Sequence, residues 1–395
     1  MFCRIEEGMN SLLNLIKRLL PRSVKNVIIG VRQLCLLAVL WFFSRTRWLS
    51  SFYYCFFSRH FAREHQSVLQ GRLTYLSSQG KQTQTNIPTN TLLRRNIHRI
   101  EKGLIMQPRK AVFALNYIAD TVAAYGVASS NVDHDDQELK WARDVLSAYF
   151  TAVQRDLLPT GLLLTFEAAK QADPAVQQSA EQSEKQSKEQ SKEQNEEQDS
   201  IPYDFASKPQ AQVSADDFLT LCTQRRSVRW FEQKAVPRDL LEQAVTMASL
   251  APSACNRQPY QFYIADDDVL SQQLINTPGG TKGFGHNVPC TIVVTADLAN
   301  YASERDRHLI YIDSTLASMQ LMLALETLGL SSCPINWPDI EAKEQQMQRL
   351  LGLSASQRPV MLIAVGYGLA EGKIPFSHKK SAKQLIRYVP RQNDR

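Results

Sequence analysis

The sequence lacks the paired cysteines of a protein held together by disulfides or structural zinc. Its seven cysteines are odd in number and scattered, and no two of them form a CxxC pair. They are Cys3, Cys35, Cys55, Cys222, Cys255, Cys290 and Cys333. Such a set argues against a disulfide framework and a structural zinc site. We therefore expect a protein of a reducing compartment, the cytoplasm, without a metal site.

The N-terminal part also has no short basic region followed promptly by an apolar run and a small-residue cleavage site, so we expect no signal peptide. It has no long uninterrupted apolar run either. The apolar piece from Leu34 to Phe43 is shorter than the roughly 20 residues that cross a bilayer core, and extending it back to Val27 takes in Arg32. Its flanks are basic and aromatic, which is typical of a helix in a membrane interface. Three interpretations stay open: a buried helix, an interfacial anchor with peripheral membrane contact through residues 27–57, and a membrane span.

Motifs of nucleic-acid-binding proteins are absent as well. No zinc-finger, RRM or helix-turn-helix pattern occurs, and the net charge of +6 is modest for 395 residues. The basic residues near the N-terminus are interleaved with apolar residues. We therefore expect no nucleic-acid partner.

Residues 171–200 lack the side chains that a folded segment needs and divide the chain into two parts. After Val176 this stretch has no aromatic or β-branched residue and repeats Gln, Ser, Lys and Glu. It cannot bury enough apolar area to offset its ordering entropy, so it is predicted to be a disordered linker. Residues 1–165 show helical spacing and predict an all-helical region, whereas residues 201–395 alternate helical and strand patterns.

The C-terminal part has the signals of an α/β or α+β domain. Ser214, followed by two aspartates in the next turn, predicts a helix N-terminus. A long helical pattern over residues 302–328 ends at Gly329. Short apolar and β-branched runs predict buried strands at residues 260–265, 290–296 and 359–368.

A cluster of three arginines and a serine follows the first of these helices. It reads RRSVRW and comprises Arg225, Arg226, Ser227 and Arg229. Guanidinium groups bind phosphate bidentately, so the cluster is a candidate phosphate site. An exposed basic turn explains the same residues, because charge runs are commonly solvated.

The stretch APSACNRQPYQF, residues 251–262, is dense in polar groups at the junction of a helix and a strand. Pro252 restricts the backbone, while Ser253, Asn256 and Gln258 both donate and accept hydrogen bonds. Such groups can bind the uracil-like edge of a heterocycle, where carbonyls and an N–H alternate. A plain turn with a capping serine and a self-bonded asparagine is the alternative.

Two later stretches are candidates for the same ligand. LGLSSCPINWP, residues 328–338, can run its backbone along a flat ligand, and Lys379 and Lys380 are further phosphate candidates. Cys255 and Cys333 have no histidine partner in these motifs and are predicted to be small buried thiols.

The order and spacing of these stretches resemble the nitroreductase family of flavoprotein oxidoreductases over residues 214–389. The matching segments are RRSVRWF, APSACNRQPYQF, VPCTIVVTAD, DSTLASMQLMLALETLGLSSCPI and PVMLIAVGYG. The resemblance implies an α+β, nitroreductase-like FMN-binding fold with a central, mainly antiparallel sheet. It also implies a homodimer with FMN at the subunit interface, and NADH or NADPH as co-substrate.

The resemblance implies a role for each candidate residue. The family's phosphate- and ribityl-binding motif is matched by Arg225, Arg226, Ser227 and Arg229. Its flavin-ring loop is matched by Pro252, Ser253, Asn256 and Gln258. The family's backbone passes the N5 side of the flavin at the positions of Pro334, Ile335 and Asn336. Where family members commonly have an arginine near the phosphate, this chain has Lys379 and Lys380 after His378.

The implied function is that of an FMN-dependent NAD(P)H oxidoreductase without a catalytic side chain. It would pass hydride through flavin N5 to a small-molecule electron acceptor, namely a nitro compound, a quinone or a specific metabolite. Relatives that carry out reductive dehalogenation usually have extra lid residues, of which residues 339–353 show no clear sign. The alternative is a flavin-binding or scaffold protein tethered to a membrane or a biosynthetic complex by its N-terminal helical region.

The long helix carries an apolar stripe that two arrangements explain. Its members are Met319, Leu321, Met322, Leu323 and Leu325. The stripe can form the core of a dimer or the buried face of a helix within one subunit.

Overall fold

The computed structural model describes residues 21–58, 60–80, 91–130, 136–174, 176–177, 199–389 and 391. Most of the predicted linker, residues 178–198, lies outside the described residues, so its disorder stays a prediction.

The described part of the N-terminal region is helical, as the sequence predicts. Its helices are α1 (Arg22–Ser44), α2 (Arg47–Phe56), α3 (Ala62–Gly80), α4 (Thr91–Leu104), α5 (Ile118–Ser129), α6 (Asp136–Ala152) and α7 (Leu162–Gln171). Helices α4 to α7 share one hydrophobic core, because each turns an apolar face inward. On α4 this face is formed by Leu93, Ile97 and Ile100, none of which is exposed.

Helices α1 and α2 leave their apolar side chains exposed. The rings of Phe43 and Tyr53 lie 5.4 Å apart where the two helices meet, but Leu34, Trp41 and Trp48 are 69%, 61% and 87% exposed. The segment Val27–Ser44 is long and apolar enough to cross a membrane, and none of it is buried. The buried-helix interpretation is therefore wrong for α1 within a single chain.

The C-terminal part places helices on both faces of a sheet. The strands are β1 (Tyr260–Ala265), β2 (Cys290–Asp297), β3 (Ser331–Asn336) and β4 (Gln357–Gly366). The helices are α8 (Ala215–Gln224), α9 (Arg238–Ser249), α10 (Asp268–Asn276), α11 (Leu309–Thr327), α12 (Glu341–Leu351) and the short α13 (Ala382–Leu385). Helix α8 begins with a capping box between Ser214 and Asp217, which confirms the predicted start.

The four strands form an open sheet in the order β1-β2-β4-β3, and every neighbouring pair is antiparallel. This confirms the expected α+β fold with a central antiparallel sheet. Strand β3 was not predicted, because Pro334 and polar residues interrupt its apolar pattern. Proline is tolerated there since β3 is at the end of the strand order.

Both faces of the sheet are buried, which explains the continuous apolar runs of its central strands. Val293 and Leu362 point into one core with residues of α10 and α12. Ile292 and Ile363 point into the other with residues of α9 and α11.

Helix α11 belongs to the core of the domain. Of the predicted stripe, Leu321, Met322 and Leu325 are buried inside the chain, whereas Met319 is 40% exposed. These three buried residues therefore form the buried face of a helix within one subunit. The segment Glu304–Thr327 is also apolar enough to span a membrane, but half of it is buried.

A buried charge cluster joins α3 to the C-terminal domain. Glu344 lies 3.7 Å from the guanidinium of Arg63 on α3 and 3.1 Å from that of Arg358. The Trp337 indole donates a hydrogen bond of 2.6 Å to the same carboxylate. Arg358 is 1% exposed, and Asp339 accepts a second hydrogen bond from it at 2.7 Å. Breaking such a buried pair by removing one partner is costly, so the cluster fixes the two parts of the chain against each other.

Candidate functional site

The predicted phosphate residues lie beside the N-terminal end of β3. Ser227 forms a parallel bridge with Ser332, and the backbone N–H of Val228 donates to the Ser332 carbonyl at 3.1 Å. Arg225 caps the C-terminal end of α8. The RRSVRW cluster therefore continues the sheet beyond its edge strand.

Two polar atoms beside this cluster are buried without a hydrogen-bond partner among the described residues. They are Nε of Arg225 and Oγ of Ser332. Unpaired buried polar atoms are rare in native proteins, and a bound ligand is one reason for them. A guanidinium nitrogen and a hydroxyl are both suited to phosphate oxygens, so these residues fit a phosphate-bearing ligand.

The C-terminal segment approaches the same cluster. Arg226 donates to the carbonyl of Pro375 at 3.0 Å and also to that of Phe376. Lys379 and Lys380 follow within a few residues and are exposed. Arg226 is thus bound to the backbone next to the predicted lysines.

Arg229 and the backbone of β3 line a shared cleft of about 290 Å³. The cleft residues are Arg229, Pro278, Gly280, Phe284, Pro334, Ile335, Asn336 and Pro338. The Arg229 guanidinium carbon lies 5.8 Å from the centre of the Phe284 ring, and Nη1 donates to the Ser227 carbonyl at 3.2 Å. The structure therefore brings Arg229 of the arginine cluster together with Pro334, Ile335 and Asn336. A larger cleft, about 610 Å³, lies between α9 and β1 and is lined by none of the predicted site residues.

Two thiols in the candidate stretches differ in burial. Cys333 is fully buried, as expected, and burial raises the pKa of its thiol. Cys255 is half-buried, so the expectation of a buried thiol is wrong there. Its backbone is left-handed, with a φ of 55°.

The loop of residues 252–258, here called the ring loop, has an unusual backbone. Cys255, Asn256 and Gln258 have φ angles of 55°, 50° and 47°. Residues other than glycine rarely adopt this left-handed conformation, and such residues concentrate at functional sites.

Hydrogen bonds within the ring loop hold this conformation. Ser253 Oγ accepts from the backbone N–H of Gln258 at 3.1 Å, and the Gln258 side-chain amide donates to Asn256 Oδ1 at 3.1 Å. This bond uses one N–H of the Gln258 amide and orients Asn256. The stretch is thus a self-bonded turn, and its binding of a heterocycle stays a prediction.

A carboxylate from α11 holds the ring loop from one side. Asp313 accepts from the backbone N–H of Ala254 at 3.0 Å and from the Tyr301 hydroxyl at 3.4 Å. Burial raises the pKa of Asp313, and these two bonds and the charge of Arg257 oppose the rise. Arg257 is itself buried and lies 5.1 Å from the Tyr301 ring.

The ring loop and the arginine cluster of residues 225–229 lie at diagonally opposite corners of the sheet. On one side, Ser332 lies beside Ser227 and pairs with Val365 of β4. On the other, Tyr260 follows the loop and pairs with Ala296 of β2, which in turn pairs with Arg358 of β4. Seven residues of β4 separate these levels, about 23 Å, and the strand order separates the two corners sideways as well. One chain therefore does not bring the two predicted groups into a single site.

Several residues of these sites were not predicted. Pro278, Gly280 and Phe284 come from the segment before β2, and Asp313 comes from α11. None stands in a polar motif, and only the tertiary fold brings them to the candidate residues. Among the described residues, no group of three or more histidines, cysteines or carboxylates could hold a metal ion.

Comparison with known proteins assigns the C-terminal half of the chain to a family. The sequence model of the nitroreductase family matches residues 222–367. Iodotyrosine deiodinase 1 of Homo sapiens is 24% identical over 222 residues, which cover 47% of this chain and 74% of that protein. An NADH dehydrogenase of Thermus thermophilus is 26% identical over 194 residues, covering 41% of this chain and 92% of that protein.

A solved structure of an FMN-dependent nitroreductase from Clostridium difficile is 21% identical. The match covers 44% of this chain and 99% of that one, with a TM-score of 0.38. The matched residues of the family model include the arginine cluster, the ring loop and all four strands. We conclude that residues 222–367, in the C-terminal half of this chain, form a domain of the nitroreductase family of oxidoreductases.

Proposed function

We propose that the chain is an FMN-dependent oxidoreductase that uses NADH or NADPH to reduce an electron-poor small molecule, such as a nitro compound or a quinone. The observation that carries this proposal is the pair of buried polar atoms without partners, on Arg225 and Ser332, next to the cleft of Arg229. A phosphate there would give both atoms the hydrogen bonds that they lack.

The residues of the chain would bind and orient the cofactor. Arg225, Ser227 and Arg229 would hold its phosphate and ribityl chain, with Lys379 and Lys380 adding positive charge. The ring loop would bind the pyrimidine edge of the flavin with donors whose positions the turn fixes. Bound FMN would supply the redox chemistry of hydride transfer between the nicotinamide and the acceptor.

A homodimer would bring the two corners of the sheet together. A two-fold axis would place the ring loop of one copy beside the arginine cluster of the other if the copies associate through α11. Near its start Asp313 accepts a hydrogen bond from the ring loop, and near its end Glu326 lies close to Arg225. This helix exposes an apolar row for the contact: Ile312, Leu316 and Met319 are 52%, 45% and 40% exposed. The C-terminal segment also exposes Phe376 and Tyr388, at 82% and 89%. We therefore propose that each site is shared by two copies.

The double substitution Arg225→Ala and Arg229→Ala tests the phosphate assignment. We expect it to abolish FMN binding while circular dichroism shows an unchanged fold. Arg238→Ala is the matched control, because this arginine is exposed and pairs with Asp266 away from the cleft. Stoichiometric FMN in the double variant would contradict the assignment.

Reductive deiodination is a second candidate reaction, favoured by the relatives named iodotyrosine deiodinase. Most of residues 339–353 form α12 (Glu341–Leu351), whose Glu344 and Met347 are buried in the domain, so this segment packs on the domain and is not a lid. Reduction rates with a nitroaromatic, a quinone and an iodotyrosine under one set of conditions distinguish the two. Faster turnover of the iodotyrosine would favour deiodination.

We also propose that α1 and α2 attach the protein to a lipid bilayer. The described residues of α1 from Val27 to Phe42 are exposed, apart from the half-buried Gly30. A helix that is apolar on all sides needs an apolar environment. Arg45 stands 3.7 Å above the Trp41 ring at one end of α1, and basic and aromatic residues together are typical of the boundary with the headgroups.

Flotation with vesicles of phosphatidylcholine and phosphatidylserine tests this attachment. The full chain should float, the variant Leu34→Asn with Leu37→Asn should float less, and Leu164→Asn, at an exposed leucine of α7, should match the unsubstituted chain. A full chain that stays in the soluble fraction would contradict the proposal and remove support from the tethered-scaffold alternative.

A further inference from the structure

An arginine of the N-terminal helical region contacts the ring loop of the C-terminal domain. Arg94 on α4 donates from Nε to the backbone carbonyl of Asn256 at 3.3 Å. Asn256 has a φ of 50°. The contact therefore reaches one of the strained residues of the loop.

The helical region holds Arg94 in place. Its Nη1 donates to Glu138 of α6 at 2.9 Å, and its guanidinium carbon lies 5.5 Å from the centre of the Trp141 ring. The side chains of Arg94 and Glu138 are only 14% and 5% exposed. The adjacent apolar face of α4 is fixed in the core of that region, so the guanidinium reaches the loop from a rigid support.

The ring loop is thus held from two sides by groups of opposite charge. The Asp313 carboxylate accepts from the N–H of Ala254, and Arg94 donates to the carbonyl of Asn256. Left-handed backbone at residues other than glycine persists only where the surroundings hold it in place. These two bonds come from different elements, α11 and α4, and both reach backbone atoms within the same turn.

We propose that Arg94 is a positioning residue of the flavin site. Through it the helical region sets the backbone of the ring loop and places a positive charge beside it. The inference rests on the proposed function, in which this loop binds the pyrimidine edge of FMN. Reduction puts negative charge on that edge, so a nearby cation stabilises the reduced state more than the oxidised state.

Three variants of the full-length chain test this role. Arg94→Met is combined with Glu138→Gln, so that no carboxylate is left buried without its guanidinium. Arg94→Lys keeps the charge but not the shape of the guanidinium. Arg95→Met is the matched control, because Arg95 is the next residue of α4 and donates to the Tyr75 hydroxyl at 3.3 Å instead.

The measurements are the FMN dissociation constant from quenching of flavin fluorescence, the midpoint potential of bound FMN, and the melting temperature of the apoprotein. The double variant should bind FMN at least about tenfold more weakly, as expected for loss of a charged hydrogen bond that orders the loop. Its midpoint potential should become more negative, because Nε of the lost guanidinium contacts the loop, whereas the carboxylate removed with it is bound at Nη1. Arg94→Lys should recover most of the potential and part of the affinity, and Arg95→Met should match the unsubstituted protein.

An unchanged dissociation constant and potential in the double variant would overturn the inference. If that variant does not fold, Arg94→Lys decides the question. Weaker FMN binding at an unchanged apoprotein melting temperature supports the role, and unchanged binding contradicts it. If the unsubstituted chain itself binds no FMN, the proposed function fails, and this outcome is distinct from failure of Arg94 alone.

Discussion

Ser332 has a buried hydroxyl that should lower the stability of the apoprotein and strengthen the binding of a ligand. Its side chain is fully buried and its Oγ has no partner among the described residues. An unpaired buried hydroxyl costs free energy, about 1–3 kcal/mol. The cost is explained if the hydroxyl binds a ligand.

We predict that Ser332→Ala leaves the free energy of unfolding of the apoprotein unchanged or raises it by up to about 1 kcal/mol, while FMN binding weakens. Chemical denaturation and FMN titration measure the two effects. Ser318→Ala is the control, because this buried serine donates to the Ser314 carbonyl at 2.7 Å and should lose about 1 kcal/mol. A Ser332→Ala apoprotein less stable than the Ser318→Ala one would argue against an unpaired hydroxyl.

The Asp313 carboxyl group should make the free energy of unfolding depend on pH. Because burial raises its pKa, its contribution to stability is fully present below the unfolded value of about 3.8 and is lost as the pH rises through the folded value. Asp313→Asn keeps an oxygen for the Ala254 N–H but does not ionise. The free energy of unfolding of the Asp313→Asn variant minus that of the unsubstituted chain should therefore increase as the pH rises from about 3.8. This difference should become constant above the folded pKa of Asp313.

Denaturant unfolding at a series of pH values measures this difference. If the free energy of unfolding of the variant minus that of the unsubstituted chain stays constant or decreases as the pH rises, burial does not destabilise the Asp313 carboxylate.

At the level of elements, helix α8 positions the arginine cluster at its C-terminal end. A capping box stabilises the N-terminal end of this helix. The Ser214 hydroxyl accepts from the N–H of Asp217 at 3.1 Å. Replacing Ser214 by Ala should lower the free energy of unfolding by about 1 kcal/mol. Thr223→Ala on the same helix should change it little, since its exposed hydroxyl bonds only to the Leu219 carbonyl. Equal effects of the two substitutions in urea titrations would contradict the role of the cap.

The elements that the sequence predicts are those whose pattern is local. β1, β2 and β4 were found from apolar and β-branched runs, and α8 from its cap. β3 is not predicted because polar residues and Pro334 interrupt its apolar pattern, and its pairing with β4 is decided by long-range contacts. The position of α1 could not be read either, because an apolar helix has the same sequence pattern in a core and in a lipid environment.

At the level of the whole molecule, the assembly of the site is what the sequence does not contain. The family resemblance identified the arginine cluster and the ring loop, but their separation across the sheet follows from strand order and register alone. Likewise, the doublet of Arg94 and Arg95 resembles any solvated helix face. Only the packing of the helical region on the domain brings Arg94 to Asn256.

Mixing two defective chains tests the shared site. One chain carries Arg225→Ala with Arg229→Ala, and the other carries Asn256→Gly, which removes the side chain but allows the left-handed backbone. Each alone should bind FMN poorly. After co-expression, mixed dimers have one site with both groups intact, so FMN binding should return.

FMN content after tandem-affinity purification of the mixed species measures this recovery. Binding no better than in either parent would contradict a site built from two chains. Co-expression of two copies of the Asn256→Gly chain with different tags is the control.

The most direct test of the central claim is the visible absorption spectrum of the purified full-length protein, followed by anaerobic addition of NADH or NADPH. We predict flavin bands, present on purification or after incubation with FMN, that bleach with at least one of the two nicotinamides. A colourless protein that cannot be reconstituted with FMN would contradict the account.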